Sequence, residues 1–245
     1  PGSGFTLLFE ALAMTLAMHL PVAVAARQFL KITDKRLWRI VFHYVEDAVA
    51  RMDLGRVSRV AIDETAARRG HDYITLVVDI DGRRVTFVGD GRSADAVARF
   101  ADHLEDHGGD ASRIKQASID MSPAFIKGVS ENLTEAEITF DRFHVMKLIG
   151  DAIDEVRRAE VKTRPELKGT RYAWTKNDAN LTARQSAQLA NLAATNLKTA
   201  RAWRMRLAFQ EIYAQPSRGW AELFFVKWIG WAKRSRLEPM KAVAR

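Results

Sequence analysis

Two aspartates carry the strongest chemical signal in this sequence. Asp63 follows the apolar run Val60-Ala61-Ile62, within Ala61-Ile62-Asp63-Glu64-Thr65, and Asp120 follows Ile119 in Ser118-Ile119-Asp120-Met121-Ser122. Each carboxylate is expected at the C-terminal tip of a strand. Placed on neighbouring strands the two would repel, a cost removed by a cation between them. Carboxylate oxygens are hard ligands and suit Mg2+ or Mn2+. Two such ions about 4 Å apart can activate a water or a 3′-hydroxyl and stabilise the leaving oxygen in attack on a phosphodiester. Strand-end aspartates are also ordinary turn formers, and the residues alone leave both readings open.

Other acids and histidines are secondary. Glu64 directly follows Asp63, so strand alternation turns it away from any site that Asp63 faces. Asp141 opens the stretch Asp141-Arg142-Phe143-His144. It either caps the helix that begins there or faces the metal site. His144, one helical turn on, either orients a phosphate or carboxylate or is structural. Asp79 and Asp81 flank a hairpin turn and need no functional role. His71, His103 and His107 lack zinc-ligand spacing. Gly89-Asp90-Gly91-Arg92-Ser93 resembles a phosphate cradle but lacks the P-loop pattern, so a turn with Ser93 capping the next helix is the better reading.

The elements that would position these residues follow from periodicity. Strands are expected at Val57–Ile62, Tyr73–Ile80 and Val85–Val88, the last two joined at Asp81-Gly82. A helix over Ala94–His107 turns Val97, Phe100, Ala101 and Leu104 inward and closes at Gly108-Gly109. Then come a strand at Ile114–Ile119, a short helix at Pro123–Val129, a strand at Ile138–Phe140 and a helix from Asp141 past Arg158. Three leading strands, then strands alternating with helices, predict an α/β mixed sheet with flanking helices, the order of an RNase H-like fold. This core is expected over residues 57–160.

Residues 1–52 read as three helices: Phe5–Met18, apolar nearly all round and so buried; Val22–Phe29 after Pro21; and one capped by Thr33 and running to Val49. Leu37, Ile40, Val41 and Val45 form the inner face of the third. Lys35, Arg36 and Arg39 cluster near its start, as in a helix-turn-helix that presents its second helix to the DNA major groove. Trp38 is expected to pack, with a groove contact as the alternative. Residues 161–245 lack strand character. A helix over Leu181–Leu207 buries Leu189, Leu192, Ala193, Leu197 and Ala200, and one over Trp220–Arg236 carries Trp220, Leu223, Phe224, Trp228 and Trp231 as an aromatic stripe expected in the core.

Charge is unevenly spread. Residues 51–160 hold 16 Lys/Arg against 21 Asp/Glu, whereas residues 161–245 hold 17 against 5, net +12 within a total of +8. An acidic centre beside a basic arm suits a protein that holds metal with one part and phosphates with the other; simple solvation would give the same asymmetry. The absence of cysteine excludes disulfide scaffolds, zinc ribbons and thiol nucleophiles, and suits the cytosol. Glu10 and His19 interrupt the N-terminal apolar stretch, which lacks a basic lead, so neither a signal peptide nor a membrane span is expected. The sequence opens on Pro1 without an initiator Met and is expected to be cut from something longer.

Several motifs occur in a particular order: Ile62-Asp63-Glu64-Thr65, Arg69-Gly70-His71-Asp72-Tyr73, Gly89-Asp90-Gly91-Arg92, Ile119-Asp120-Met121-Ser122-Pro123-Ala124-Phe125 and Phe140-Asp141-Arg142-Phe143-His144-Val145. With Arg36-Leu37-Trp38 near the start and Arg234-Ser235-Arg236-Leu237 near the end, they closely resemble the ISL3-type insertion-sequence transposases, which are DDE enzymes. The resemblance implies cleavage of transposon ends and joining of the 3′-hydroxyl to target DNA, with two Asp and one Glu holding divalent metal. It places the first two acids on Asp63 and Asp120, and makes residues from about Val161 to Ala232, within the basic helical region 161–245, look like the insertion between the last strand and the helix that bears the third. That Glu is expected downstream of Arg245, and Glu238 does not match it; the family's cysteine-rich zinc module is missing too.

The chain is therefore expected to be a transposase fragment, weak in metal binding and nearly inactive in strand transfer. The complete protein is expected to use Mg2+ or Mn2+, two ions in all, and to act on double-stranded DNA as a homo-oligomer, in the cytoplasm at the nucleoid. Two rivals remain: a catalytically inactive DNA-binding or regulatory protein, and a working nuclease in which Asp141 completes the site.

Overall fold

Glu10, which interrupts the apolar N-terminal run, is the residue around which the first helices assemble. In the computed structural model, which describes residues 3–68, 70 and 72–245, it is 1% exposed. It accepts hydrogen bonds from Ser3 Oγ and, at 2.6 Å, from the Tyr44 hydroxyl. These two donors, Ser3 first, hold its carboxyl below the usual range. Helix α1 (Leu7–His19) buries only Glu10 and Ala13; Leu7, Leu8, Leu12 and Met18 are exposed, so the expected all-round burial does not occur. Its apolar residues outnumber the positions that face α2 (Val22–Val24), the π-helical Ala25–Leu30 that continues it, and α3 (Asp34–Ala50).

The second helix ends at Lys31, which takes a left-handed φ of 56°. Thr33 sits at the N-cap of α3 in extended backbone, but its side chain makes no capping bond. Asp34 instead receives Arg27 Nε at 2.9 Å and Nη2 at 2.7 Å, which ties the second helix to the third. Leu37 and Ile40 are buried; Val45, expected on the inner face, is exposed.

The alternating middle of the chain forms a five-stranded sheet: β1 (Arg59–Ala66), β2 (Tyr73–Asp79), β3 (Arg84–Asp90), β4 (Gln116–Ile119) and β5 (Glu137–Phe140). The spatial order is β3-β2-β1-β4-β5. The first three strands pair antiparallel and β1 pairs parallel with β4. The β2–β3 turn is closed by Asp79, whose Oδ1 accepts from the backbone N–H of Asp81 at 3.1 Å and Gly82 at 3.0 Å. Helices α4 (Ala94–Asp106) and α5 (Pro123–Asn132) share a core with the sheet. Val97, Phe100, Leu104, Phe125 and Val129 meet Val60, Ile62, Val77, Ala117 and Ile119, all buried. The expected α/β mixed sheet is present.

The chain divides into two compact units, Pro1–Thr139 and Phe140–Arg245. The second is helical: α6 (Arg142–Glu160), α7 (Arg171–Thr175), α8 (Ala183–Ala193), α9 (Lys198–Gln210), α10 (Arg218–Arg234) and α11 (Glu238–Val243). Ile149, Ile153 and Val156 of α6 share a core with Trp174, Leu197, Met205, Phe209, Trp228 and Met240. The single helix expected over 181–207 is broken. Thr195 Oγ1 donates back to Leu192 O at 2.6 Å, and the Glu160 carboxylate accepts from the N–H groups of Lys198 and Thr199, each at 2.8 Å. A carboxylate 38 residues away thus caps α9. The aromatic stripe of α10 is core only at Trp228, 2% exposed; Trp220, Leu223 and Trp231 are exposed. No helix among the described residues is long and apolar enough to cross a membrane.

Candidate functional site

Strand β1 has different neighbours on its two edges. Its antiparallel ladder with β2 runs on to Ala66 opposite Tyr73. Its parallel ladder with β4 ends at Ile62 opposite Ile119. Asp63 is therefore inside a strand, not at its tip as expected, because β2 keeps β1 extended for three residues more. Asp63 and Asp120 are each the first residue beyond the last parallel pair. Both therefore lie at the same end of two neighbouring strands, whose axes are about 4.8 Å apart, with Asp120 in the turn that follows β4. Ile62 and Ile119 anchor them in the buried core.

Asp63 is exposed and Asp120 half-buried. Asp63 Oδ1 accepts from the N–H of Glu64 at 2.8 Å, and Asp120 Oδ1 from the N–H of Ser122 at 2.9 Å, a turn leading into α5. Among the described residues, neither Oδ2 takes a hydrogen bond or an ion pair. Each acid thus spends one oxygen on local backbone and leaves one open. Glu64 is held elsewhere, 3.1 Å from Arg92 Nη1, and Arg92 lies over the Tyr73 ring at 4.3 Å. Carboxylate oxygens at the same end of neighbouring strands are hard donors, of the type that suits a divalent cation. No group of three or more His, Cys, Asp or Glu side chains suited to a metal occurs among the described residues.

Asp141 and His144 belong to the second unit and engage each other. Asp141 caps α6, with Oδ1 accepting from Phe143 N at 2.9 Å and Oδ2 lying 3.1 Å from His144 Nδ1. The capping alternative is what the geometry displays. Arg69 and His71, part of the motif order, lie outside the described residues.

Lys35, Arg36 and Arg39 are all exposed on α3. Lys35 and Arg39 line an open depression of about 580 Å³ with Trp38, Phe42, His43 and Glu46, and Arg36 lies 6.0 Å from the Phe5 ring. Trp38, expected to pack, is 45% exposed and stacks on Phe42 with ring centroids 5.5 Å apart. The signal was available: 38 and 42 are one helical turn apart and off the Leu37–Ile40 face.

A mixed sheet in this order, with acids at the end of its central parallel ladder and a three-helix segment before it, is an RNase H-like fold joined to a helix-turn-helix. Residues 60–245 match a family profile described as a transposase of the DDE ISL3 group, and residues 1–45 match the helix-turn-helix domain of transposase family ISL3. The chain belongs to the ISL3 transposase family. It is 30% identical over 206 residues to the transposase for insertion sequence element IS1001 of Bordetella parapertussis, covering 81% of this chain and 50% of that protein. It is 28% identical over 264 aligned positions to the transposase for IS1557 of Mycobacterium tuberculosis (strain CDC 1551 / Oshkosh), covering 96% of this chain and 59% of the relative. The chain thus spans about half the length of the curated relatives it matches.

Proposed function

We propose that Asp63 and Asp120 are two acids of a metal-dependent centre that cuts insertion-sequence ends and joins them to target DNA. The observation that carries this is the register: Ile62 pairs with Ile119, so the next residue on each strand is an aspartate with one open oxygen. Asp63 and Asp120 would hold Mg2+ or Mn2+, two ions in the complete centre, supplying polarisation of the phosphodiester and of its attacking hydroxyl. The chain's own part is to present the two carboxylates at a fixed spacing on a rigid sheet. Residues 1–52 serve as the DNA-binding segment, residues 57–160 as the catalytic core and residues 161–245 as a basic helical insertion. Lys35, Arg36 and Arg39 contact the double-stranded transposon end, and the protein works on the chromosome as a homo-oligomer.

A second reading has its own support. No third ligand stands with the acid pair among the described residues, which favours a fragment that binds DNA without cutting it. Cleavage of transposon-end duplex in Mg2+ or Mn2+ separates the readings, tested with the 245-residue chain alone and joined to its downstream reading frame. Metal-dependent nicking in either form, abolished by Asp120→Asn, supports the catalytic reading. Nicking lost on Asp141→Ala but retained in Asp120→Asn overturns the assignment. Binding without nicking in both forms puts the regulatory reading first. Lys35→Ala with Arg39→Ala is expected to lower the salt dependence of end binding by about one to two counterions.

A further inference from the structure

The second unit treats its two most buried charges in opposite ways. Asp154, 7% exposed, is met by three guanidinium groups: Arg157 at 2.7 Å, Arg158 at 3.3 Å and Arg171 at 3.7 Å. Arg206 of α9, 4% exposed, has no carboxylate within 4 Å among the described residues. Its Nη2 donates to Asn177 Oδ1 at 3.0 Å, and its buried Nε makes no hydrogen bond in the protein. Burial pushes this guanidinium below its ordinary value, and Asp178 opposes that only from a distance. A buried cation without a counter-charge is among the costlier features a fold can keep.

Arg206 lines a pocket of about 450 Å³ whose wall carries four cations, Lys147, Arg171, Lys176 and Arg206, against one carboxylate, Asp151. Arg171 is already engaged with Asp151 at 3.9 Å and with Asp154. Lys147 is exposed and has no ion-pair partner among the described residues. Lys176 lies 5.5 Å from the Tyr172 ring. The Asn177 amide accepts from Arg206 through its oxygen, which leaves its NH2 free to donate. The pocket thus combines a planar guanidinium, two lysines and an amide donor, with few anions to compete.

We propose that this pocket binds a phosphate oxyanion of the DNA backbone. A guanidinium fork and amide N–H groups match phosphate oxygens in geometry, and the anion would supply the charge that Arg206 lacks. Phe143, 68% exposed and part of the pocket wall, offers a ring for an adjacent base. The net +12 of the last third of the chain thereby gains a defined docking point. The pocket stands on its own charge and burial; only the choice of DNA as the phosphate source rests on the transposase reading, and no cleavage step enters its test.

The test uses the 245-residue chain with inorganic phosphate, a 20-base-pair duplex and a 20-base single strand, all against chloride at matched ionic strength. Phosphate is expected to raise the melting temperature of the wild type but not of Lys147→Ala/Lys176→Ala. The same pair of substitutions is expected to weaken duplex or single-strand binding about tenfold and to reduce the salt slope by about two. Lys227→Ala/Lys233→Ala, equal in charge and outside the pocket, is expected to stay within about twofold. Arg206→Met is expected to be at least as stable as the wild type in chloride, since it removes an unpaired buried charge, and to lose the response to phosphate. Equal losses in the two lysine pairs, or no phosphate response in the wild type, would overturn the site. Phosphate binding without any change in DNA affinity would overturn the backbone assignment. A destabilised Arg206→Met that still responds to phosphate would show that the guanidinium serves packing instead.

Discussion

The sheet and the helical unit place their charges by different means. Asp63 and Asp120 are set at the same end of neighbouring strands by backbone pairing, through the parallel register that ends at Ile62 and Ile119. Neither carboxylate is needed to hold the sheet, whose stability comes from the buried residues beneath it. In the second unit, side chains do the placing. Glu160 at the end of α6 caps α9 from 38 residues away, Asp154 gathers three arginines, and Arg206 is carried into the interior by α9. A charge positioned by a ladder can be exchanged without loss of the fold. A charge that is itself the joint cannot.

The largest expected effect concerns the core that the second unit's joints hold closed. Trp174 is fully buried, and its Nε1 donates to Thr170 Oγ1 at 3.0 Å. Trp174→Ala is expected to cost about 3–5 kcal/mol, as a large cavity in a buried core would require; denaturant melts check this. A loss below about 1 kcal/mol would mean that the helices do not depend on a shared core. Next comes Glu160→Ala, expected to cost about 1–2 kcal/mol by uncapping α9, with helical circular dichroism reporting where the loss falls. Against it, Asp63→Asn with Asp120→Asn is expected to change stability by less than about 0.5 kcal/mol. Equal losses in the two experiments would erase the contrast between ladder and joint.

The smallest effect is a pH dependence in the first three helices. The hydrogen bonds from Ser3 and Tyr44 hold the Glu10 carboxyl below its ordinary value of 4.5. A lowered carboxylate stabilises the fold above the unfolded value and loses that contribution as pH falls through the folded one. The stability gap between wild type and Glu10→Gln is therefore expected to be full at pH 7 and to narrow below about pH 4.5. A gap that stays constant down to pH 3 would show that Glu10 acts by shape, not charge.

Much of the sheet was legible because alternation and turn residues are local. Asp81-Gly82 between apolar runs marks a hairpin, and Val97, Phe100 and Leu104 mark the face of α4, without knowledge of the rest of the chain. The adjacency of Asp63 and Asp120 could be read the same way once the strand order was drawn. The place of Asp63 within its strand could not, since β1 is prolonged by its pairing with β2 rather than by its own sequence. The break between α8 and α9 was hidden because its cap, Glu160, lies in another helix. Glu10 interrupts an apolar helix in the sequence, yet it is the most buried polar residue there, held by Tyr44, which is 34 residues away. The stripe on α10 has core spacing, but its buried member is Trp228, whose Nε1 donates to Met205 O of α9 at 2.7 Å. In each case the missing information was a contact distant in sequence.

The claim that the two ladder-end aspartates share a divalent cation is tested most directly by Mn2+ binding, followed through the loss of the free-ion electron paramagnetic resonance signal. The wild-type chain is expected to bind Mn2+ weakly but measurably, and Asp63→Asn/Asp120→Asn to bind none at the same concentration while melting as the wild type does. Equal Mn2+ binding by the two proteins, or none by either, would contradict a shared metal and leave the acids as turn formers.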